Sequence, residues 1–408
     1  EGVECMKNLR EKALEVHKRA KGKLNVGVKV SVENANDLSL VYSPGVAEPC
    51  KEIYEAPEKI YDYTMKGNLV AVISDGSAVL GLGNIGGAAS MPVMEGKAAL
   101  FKAFADIDAF PICLNTQSLE QIIQTVKSLE PTFGAINLED ISAPNCFIIE
   151  ERLKEEMNIP VFHDDQHGTA IVTAAGLINA LKIVNKRMNG IKVVVNGAGA
   201  AGIAITKLLV SLGVGNIIMC DSKGAIYDGR QHGMNAMKES VAKMTNINKE
   251  KGSLAEVIKK ADVFIGVSVA EAVTPDMVAS MNKDAIIFAM ANPIPEIMPG
   301  PAKAAGAAVV GTGRSDLPNQ INNVLAFPGI FKGALRVHAS EINEKMKLAA
   351  VYAIANLVEP CRLTNDYVIP HPFDKRVVEA VAEAVAQAAI ETGVARKMIS
   401  PKEKNEAV

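Results

Sequence analysis

The 408-residue chain lacks the features that mark several large functional classes. It contains no run of about 18 uncharged apolar residues, so no membrane-spanning helix is expected. Basic residues are not in excess. The 43 Lys and Arg stand against 46 Asp and Glu, a formal net charge of −3. A basic face of the kind nucleic acid needs is therefore absent, and no nucleic-acid partner is expected. The six cysteines, at 5, 50, 113, 146, 220 and 361, show no CxxC spacing. That pattern argues against a thiolate metal site and against a disulfide framework. They read as inert thiols in a reducing compartment, and the cytoplasm is the expected location. Glu1–Arg10 lacks the basic-then-apolar pattern of a secretory signal. No internal repeat or low-complexity segment interrupts the chain. The composition, 49% apolar and 22% charged, is that of a globular protein long enough for about two domains.

Two acidic dipeptides stand out. Glu139-Asp140 follows the apolar run Phe133–Leu138, and Asp164-Asp165 follows Ile159–Phe162. Four carboxylates at the ends of two expected strands are costly to hold together unless a positive charge lies between them. Oxygen-only ligands of this kind suit Mg²⁺ or Mn²⁺ rather than Zn²⁺.

Helical spacing covers residues 4–21, and Ser43-Pro44-Gly45 with Pro49 marks a structured turn. Strand-like runs at 69–73, 109–114 and 133–138 alternate with expected helices at 92–105, 118–129 and 145–157. The first of these is expected to start at Met91-Pro92, because proline favours the first helical position. A long helix is expected at 168–187. Strands at 191–195, 216–220, 262–266 and 284–290 then alternate with helices at 200–212, 253–260 and 275–281. Such alternation implies right-handed βαβ units and a parallel sheet. Ala-rich helices are expected at 340–358 and 373–397.

Lys192–Asn196 leads into Gly197-Ala-Gly199-Ala200-Ala-Gly202, a GxGxxG element after a β-branched strand and at the opening of a helix. Its glycines permit a tight turn, close approach to a pyrophosphate, and helix–strand packing, while the helix N-terminus supplies N–H donors. Asp221 ends the next strand. Its carboxylate can accept from a ribose 2′-OH and would repel a 2′-phosphate, which favours NAD, with NADP left open by nearby Lys223. Gly81-Leu-Gly83-Asn-Ile-Gly86 also matches the pattern but lacks a directly following helix, and reads as a structural or substrate-side glycine loop. The fold expected is α/β: an N-terminal substrate- and metal-binding domain (1–165), a doubly wound parallel-sheet Rossmann domain for NAD (166–360), and a C-terminal helical segment (361–408).

Lys97 is a lone lysine in an apolar helix, where burial would depress its pKa toward that of a general base. Tyr42 precedes the stiff turn Ser43–Ala47, which could fix a phenol as an acid. Taken together, the strings Val41–Ala47, Ser74–Asn84, Glu95-Gly-Lys97, Asn137–Ile141, Phe162–Ala170, Phe288–Pro293 and Asn322–Gly329 resemble the malic enzymes, in the family's order. The resemblance runs from about residue 30 to about residue 337, and the length looks like the short prokaryotic type.

That resemblance implies divalent-metal ligation by Glu139, Asp140 and Asp165, with Asp164 orienting Lys97. It implies Lys97 as general base, Tyr42 as general acid, and Asn292 and Asn323 holding the substrate carboxylate, Asn292 also bordering the cofactor. The reaction implied is oxidative decarboxylation of L-malate to pyruvate and CO₂ with NAD reduced. Lys97 takes the C2 hydroxyl proton as hydride leaves, and Tyr42 protonates C3 after CO₂ departs. Larger malic enzymes carry an Arg after Asp-Gly-Glu, whereas this chain reads Asp75-Gly76-Ser77-Ala78. Ser77 or glycine-loop N–H groups are expected to hold the carboxylate instead. A homodimer is expected from apolar faces on the terminal helices.

Three other functions compete with this one. A zinc hydrolase would use His163 and His167, spaced i, i+4, but the strand-like run before them argues against one helical face. An amino-acid dehydrogenase leaves the clustered acids unexplained. An inactive nucleotide sensor leaves Tyr42 and Lys97 unexplained.

Overall fold

The computed structural model describes residues 2–79 and 81–398. The first of two sheets contains β1 (Leu69–Ser74), β2 (Asp108–Cys113), β3 (Ala135–Leu138) and β4 (Val161–His163), ordered β2-β1-β3-β4 and parallel throughout. The second contains β5 (Lys192–Asn196), β6 (Asn216–Asp221), β7 (Gly224–Ala225), β8 (Val263–Gly266), β9 (Ala285–Ala289) and β10 (Ala307–Thr312). Its order is β10-β9-β8-β5-β6-β7, with β7 antiparallel to β6 and the other pairs parallel. Strands such as β1 and β9 are continuous apolar runs because helices cover both faces of a parallel sheet.

Strand order reverses at β5, whose neighbours β6 and β8 follow it in sequence on opposite sides. Ligands of open parallel sheets bind at such a switch point, beyond the C-terminal ends of the strands. The helix Asp164–Ile183 leaves β4 and links the two sheets. The expected division at residue 165 therefore falls inside a helix. The chain later returns to the first sheet. Phe331, on the helix Phe327–Arg336, stacks edge-on against both Phe101 and Phe162. The helix Arg376–Glu391 packs on Phe327–Arg336 through Gly329 and Gly333, where an added Cβ would meet Val381 and the Ala382 carbonyl at 2.6 and 2.5 Å.

Two of the boundaries that differ from expectation bear on the site. The helix expected to open at Pro92 begins at Gly86 and carries Pro92 inside it. Gly87 seats that first turn against the sheet, since a Cβ there would lie 2.4 Å from the Leu114 carbonyl oxygen. The helix expected from residue 168 starts at Asp164, so the second acidic pair lies in a helical first turn, where the macrodipole favours carboxylates.

From Leu9 to Met65 no residue is buried, although Gly2–Ala20, Ala35–Val41 and Ala47–Glu55 are helical. This arm is tethered beside the first sheet. The Lys23 ammonium donates to the Pro92 carbonyl at 2.7 Å, and Lys29 pairs with Asp108 at 3.2 Å. Among the described residues no helix is long and apolar enough to cross a membrane.

Candidate active site

Register brings the two acidic pairs together. Leu138 of β3 is the partner of His163 of β4, so Glu139-Asp140 and Asp164-Asp165 leave adjacent parallel strands at the same edge. One ligand oxygen from each of Glu139, Asp140 and Asp165 lies within 4.8 Å of the others. The Asp140 backbone adopts φ +53° and its N–H donates to Asp165 Oδ2 at 2.8 Å, which joins the two turns directly. Asp140 Oδ2 is buried with no hydrogen-bond partner. An all-oxygen set with an unpartnered buried carboxylate oxygen fits a hard divalent cation.

Lys97 reaches this cluster from the helix Gly86–Ala105. Its Nζ lies 2.6 Å from Asp164 Oδ2, 2.9 Å from Glu139 Oε1, and 4.3 Å above the Phe327 ring. The expected depression of the Lys97 pKa is not observed. Burial pushes the ammonium down, but Asp164 and Glu139 outweigh it and hold the group above the ordinary lysine value. The carboxylates shift upward in return. Burial first, then Asp165 and Glu139, push Asp140 up to about 8. Burial raises Asp164 to about 7 and Asp165 to about 6, against the pull of Lys97. Perturbed titratable groups gathered in a cleft mark a candidate chemical site.

A cavity of about 1000 Å³ joins this cluster to the second sheet. Lys97, Glu139, Asp140 and Asp165 line one end, and Gly199, Ala200 and Gly202 line the other. Gly197 has φ +121° and packs against the Val267 carbonyl across the switch point. A Cβ on Gly202 would sit 1.8 Å from the Gly197 carbonyl oxygen, so the helix Ala200–Ser211 can start here only with glycine. Asn292 and Asn323 line the wall between the ends. Gly81 lines it too and abuts the Asn292 carbonyl, and the second glycine string, expected to lack a directly following helix, runs straight into the helix that opens at Gly86.

Three expected residues are placed differently. The Ser77 hydroxyl donates to Asp75 at 2.6 Å and accepts from the Ser142 N–H at 2.9 Å, so both of its functions tie two loops together. Ala78 and Ser142 line the cavity there, and Ser77 does not. Tyr42 is 68% exposed and lies outside the cavity lining. Asp221 ends β6 as expected, but its carboxylate is held by Arg230 through both oxygens and by Lys238 at 2.6 Å. Burial works against the charge, but these partners and the Lys223 N–H hold Asp221 down at about 2. Arg230 and Lys238 escaped sequence reading because no local spacing ties them to the strand end.

The histidines do not form a zinc pair. His163 Nδ1 accepts from the Gln166 N–H, while His167 Nε2 lies against Glu150. Among the described residues, the carboxylate triad is the one cluster able to hold a metal.

Residues 21–154 match the family model "Malic enzyme, N-terminal domain", and residues 166–390 match "Malic enzyme, NAD binding domain". A bifunctional malic/malolactic enzyme of Bacillus subtilis is 69% identical, over 97% of this chain and 97% of its own length. An NAD-dependent malic enzyme of Geobacillus stearothermophilus is 58% identical, over 92% of this chain and 78% of its own. The crystal structure of a malic enzyme from Pyrococcus horikoshii aligns with a TM-score of 0.93 at 48% identity, covering 98% of this chain and 95% of that one. The chain belongs to the malic enzyme family.

Proposed function

We propose that this protein converts L-malate to pyruvate and CO₂ while reducing NAD, with Mg²⁺ or Mn²⁺ held by Glu139, Asp140 and Asp165. The observation that carries this reading is the single cavity with the Lys97–carboxylate cluster at one end and a dinucleotide-type helix N-terminus at the other. With a cation bound at the carboxylates, the charge that keeps Lys97 protonated would be cancelled, and the neutral amine would then accept the C2 hydroxyl proton while Asp164 and Glu139 hold its Nζ in place. When bound, the nicotinamide takes the C2 hydride and the divalent cation offsets the negative charge that develops as CO₂ leaves. Asn292 and Asn323 supply neutral donors for the substrate carboxylate from the cavity wall.

The balance returns one proton to C3, so an acid must reach the site. Among the described residues lining the cavity there is no tyrosine or histidine. Tyr42 lies on the arm in which no residue from Leu9 to Met65 is buried within its own chain, with Leu38 and Leu40 exposed beside it. A homodimer in which a second copy covers this arm would place Tyr42 at the partner's site. The cytoplasm is the proposed location, in keeping with free thiols at the described Cys50, Cys113, Cys146, Cys220 and Cys361.

NADH absorbance with malate, after EDTA treatment and after Mn²⁺ is restored, tests the proposal. Turnover that survives EDTA, or none with malate and either nucleotide, overturns it. A second reading follows from the B. subtilis relative's double name. If NADH stays bound, protonated Lys97 can deliver its proton to the carbonyl oxygen of pyruvate as hydride returns to C2, giving lactate. Lactate formed from malate without net NADH release would identify that activity.

A further inference from the structure

A buried carboxylate that takes no part in the proposed chemistry holds the residues on either side of Asp164-Asp165. Glu150, on the helix Asn145–Glu156, is 5% exposed. Its Oε1 accepts from the His163 N–H at 3.3 Å, and its Oε2 accepts from Gln166 Nε2 at 3.1 Å. His167 Nε2 lies 2.8 and 3.0 Å from the two oxygens. The Lys347 ammonium sits 3.1 Å from His167 Nδ1, and because an ammonium can only donate, Nε2 carries the ring proton toward Glu150. Lys154, 2.6 Å from Oε1, balances the charge. One side chain thus grips the residue before the acidic pair and the two residues after it.

Successive helical residues point about 100° apart, so Asp164 and Asp165 diverge from one turn toward different targets. Asp164 meets Lys97, and Asp165 meets the Asp140 N–H. At a side-chain radius of about 5–6 Å, a helix rotation of roughly 20° would carry either carboxylate about 2 Å from its target. Nothing else on this turn is tied as many times to a single neighbour. We propose that Glu150 is a positioning residue for the divalent-cation site: it sets the rotation of the first turn of Asp164–Ile183 and so aims Asp165 at Glu139 and Asp140. This rests on the metal-site reading above.

The test is Mn²⁺ binding to the EDTA-stripped full-length protein, measured by electron paramagnetic resonance, with NAD binding measured by calorimetry. Groups that orient metal ligands typically change affinity about 10–100-fold when removed. Glu150→Gln is expected to weaken Mn²⁺ by such a factor, Glu150→Asp less, and both with NAD affinity unchanged. At saturating Mn²⁺, kcat of Glu150→Gln should return to within a few-fold of wild type, which a general folding defect would not allow. Wild-type Mn²⁺ affinity in Glu150→Gln, or an equal loss of NAD affinity, overturns the inference. Should Glu150→Gln not fold, His167→Asn removes two of the contacts and is expected to weaken Mn²⁺ alone, and wild-type affinity there also overturns it. Asp165→Asn separates the two readings. Loss of Mn²⁺ in that variant with none in Glu150→Gln defeats the positioning role only, while a wild-type chain that takes up no Mn²⁺ defeats both.

Discussion

Asp164 and Gly168 touch so closely that a Cβ on the glycine would lie 1.9 Å from Asp164 Oδ1. One carboxylate oxygen therefore lies against the helix backbone, and the other meets Lys97 at 2.6 Å. Any side chain at 168 must push Asp164 off Lys97. Gly168→Ala is expected to lower kcat on the order of 100-fold, the scale of a 1 Å misplacement in a catalytic group. NAD binding, proposed for the other end of the cavity, should be intact. Steady-state kinetics beside NAD calorimetry decide it, and near-wild-type kcat would show that Asp164 does not need this seat.

The raised carboxylates predict a pH-dependent stability that metal should correct. Asp140 at about 8 and Asp164 at about 7 retain protons in the folded chain that the unfolded chain has lost. Folding stability then falls as pH rises through 6.5 to 8, by about 1.4 kcal/mol per pH unit for each proton fully retained. His163 and His167, held below the ordinary value by burial, act in the opposite direction but only below about pH 6.5. Lys97 stays protonated in both states over this range and adds no slope. Thermal melts of EDTA-treated protein should show Tm falling from pH 6.5 to 8. Mn²⁺ should raise Tm more at pH 8 than at 6.5, and Asp140→Asn should flatten the slope. A stripped protein whose Tm is level across this range contradicts the prediction.

Asp221 pairs with two cations, Arg230 and Lys238, whose other contacts are backbone carbonyls. Replacing it by Asn leaves Arg230 and Lys238 without an ion-pair partner at the end of β6, and if that strand end meets the adenosine ribose as proposed, an Arg there suits a 2′-phosphate. The kcat/KM ratio of NADP to NAD is expected to rise about tenfold or more, the worth of roughly 1.4 kcal/mol. Adding Arg230→Ala should reverse most of the gain. An unchanged ratio would mean that neither residue reads the ribose.

Much of the site was legible because its residues are local. Two acidic pairs closing two apolar runs, and a glycine string between strand and helix, carry their chemistry within a few positions. What was not legible depends on distant contacts. The apolar surroundings of Lys97 predict a lowered pKa, and only Glu139 and Asp164, brought in by the register of β3 and β4, reverse its sign. Gly86-Gly87 has poor helix propensity and Pro92 mimics a helix start, so the true opening shows only in the packing of Gly87 on Leu114. Arg230 and Lys238 lie 9 and 17 positions from Asp221, across a loop with no periodicity to betray them.

Tyr42 leads to the sharpest prediction about assembly. Its ring is exposed, its arm buries no residue from Leu9 to Met65, and the described residues lining the cavity of its own chain include no tyrosine or histidine. If the tyrosine serves the partner's site, Lys97→Ala and Tyr42→Phe are each inactive alone but complement each other. In a mixed dimer, the chain with intact Lys97 receives intact Tyr42 from its partner, and the other site lacks both. Equal amounts unfolded and refolded together should regain about one quarter of wild-type activity, since half the dimers are mixed and each has one complete site. If Tyr42 serves its own chain, no combination contains a complete site and the mixture stays inactive. Sedimentation of both variants as dimers is the control, because a failure to reassociate would also leave the mixture inactive.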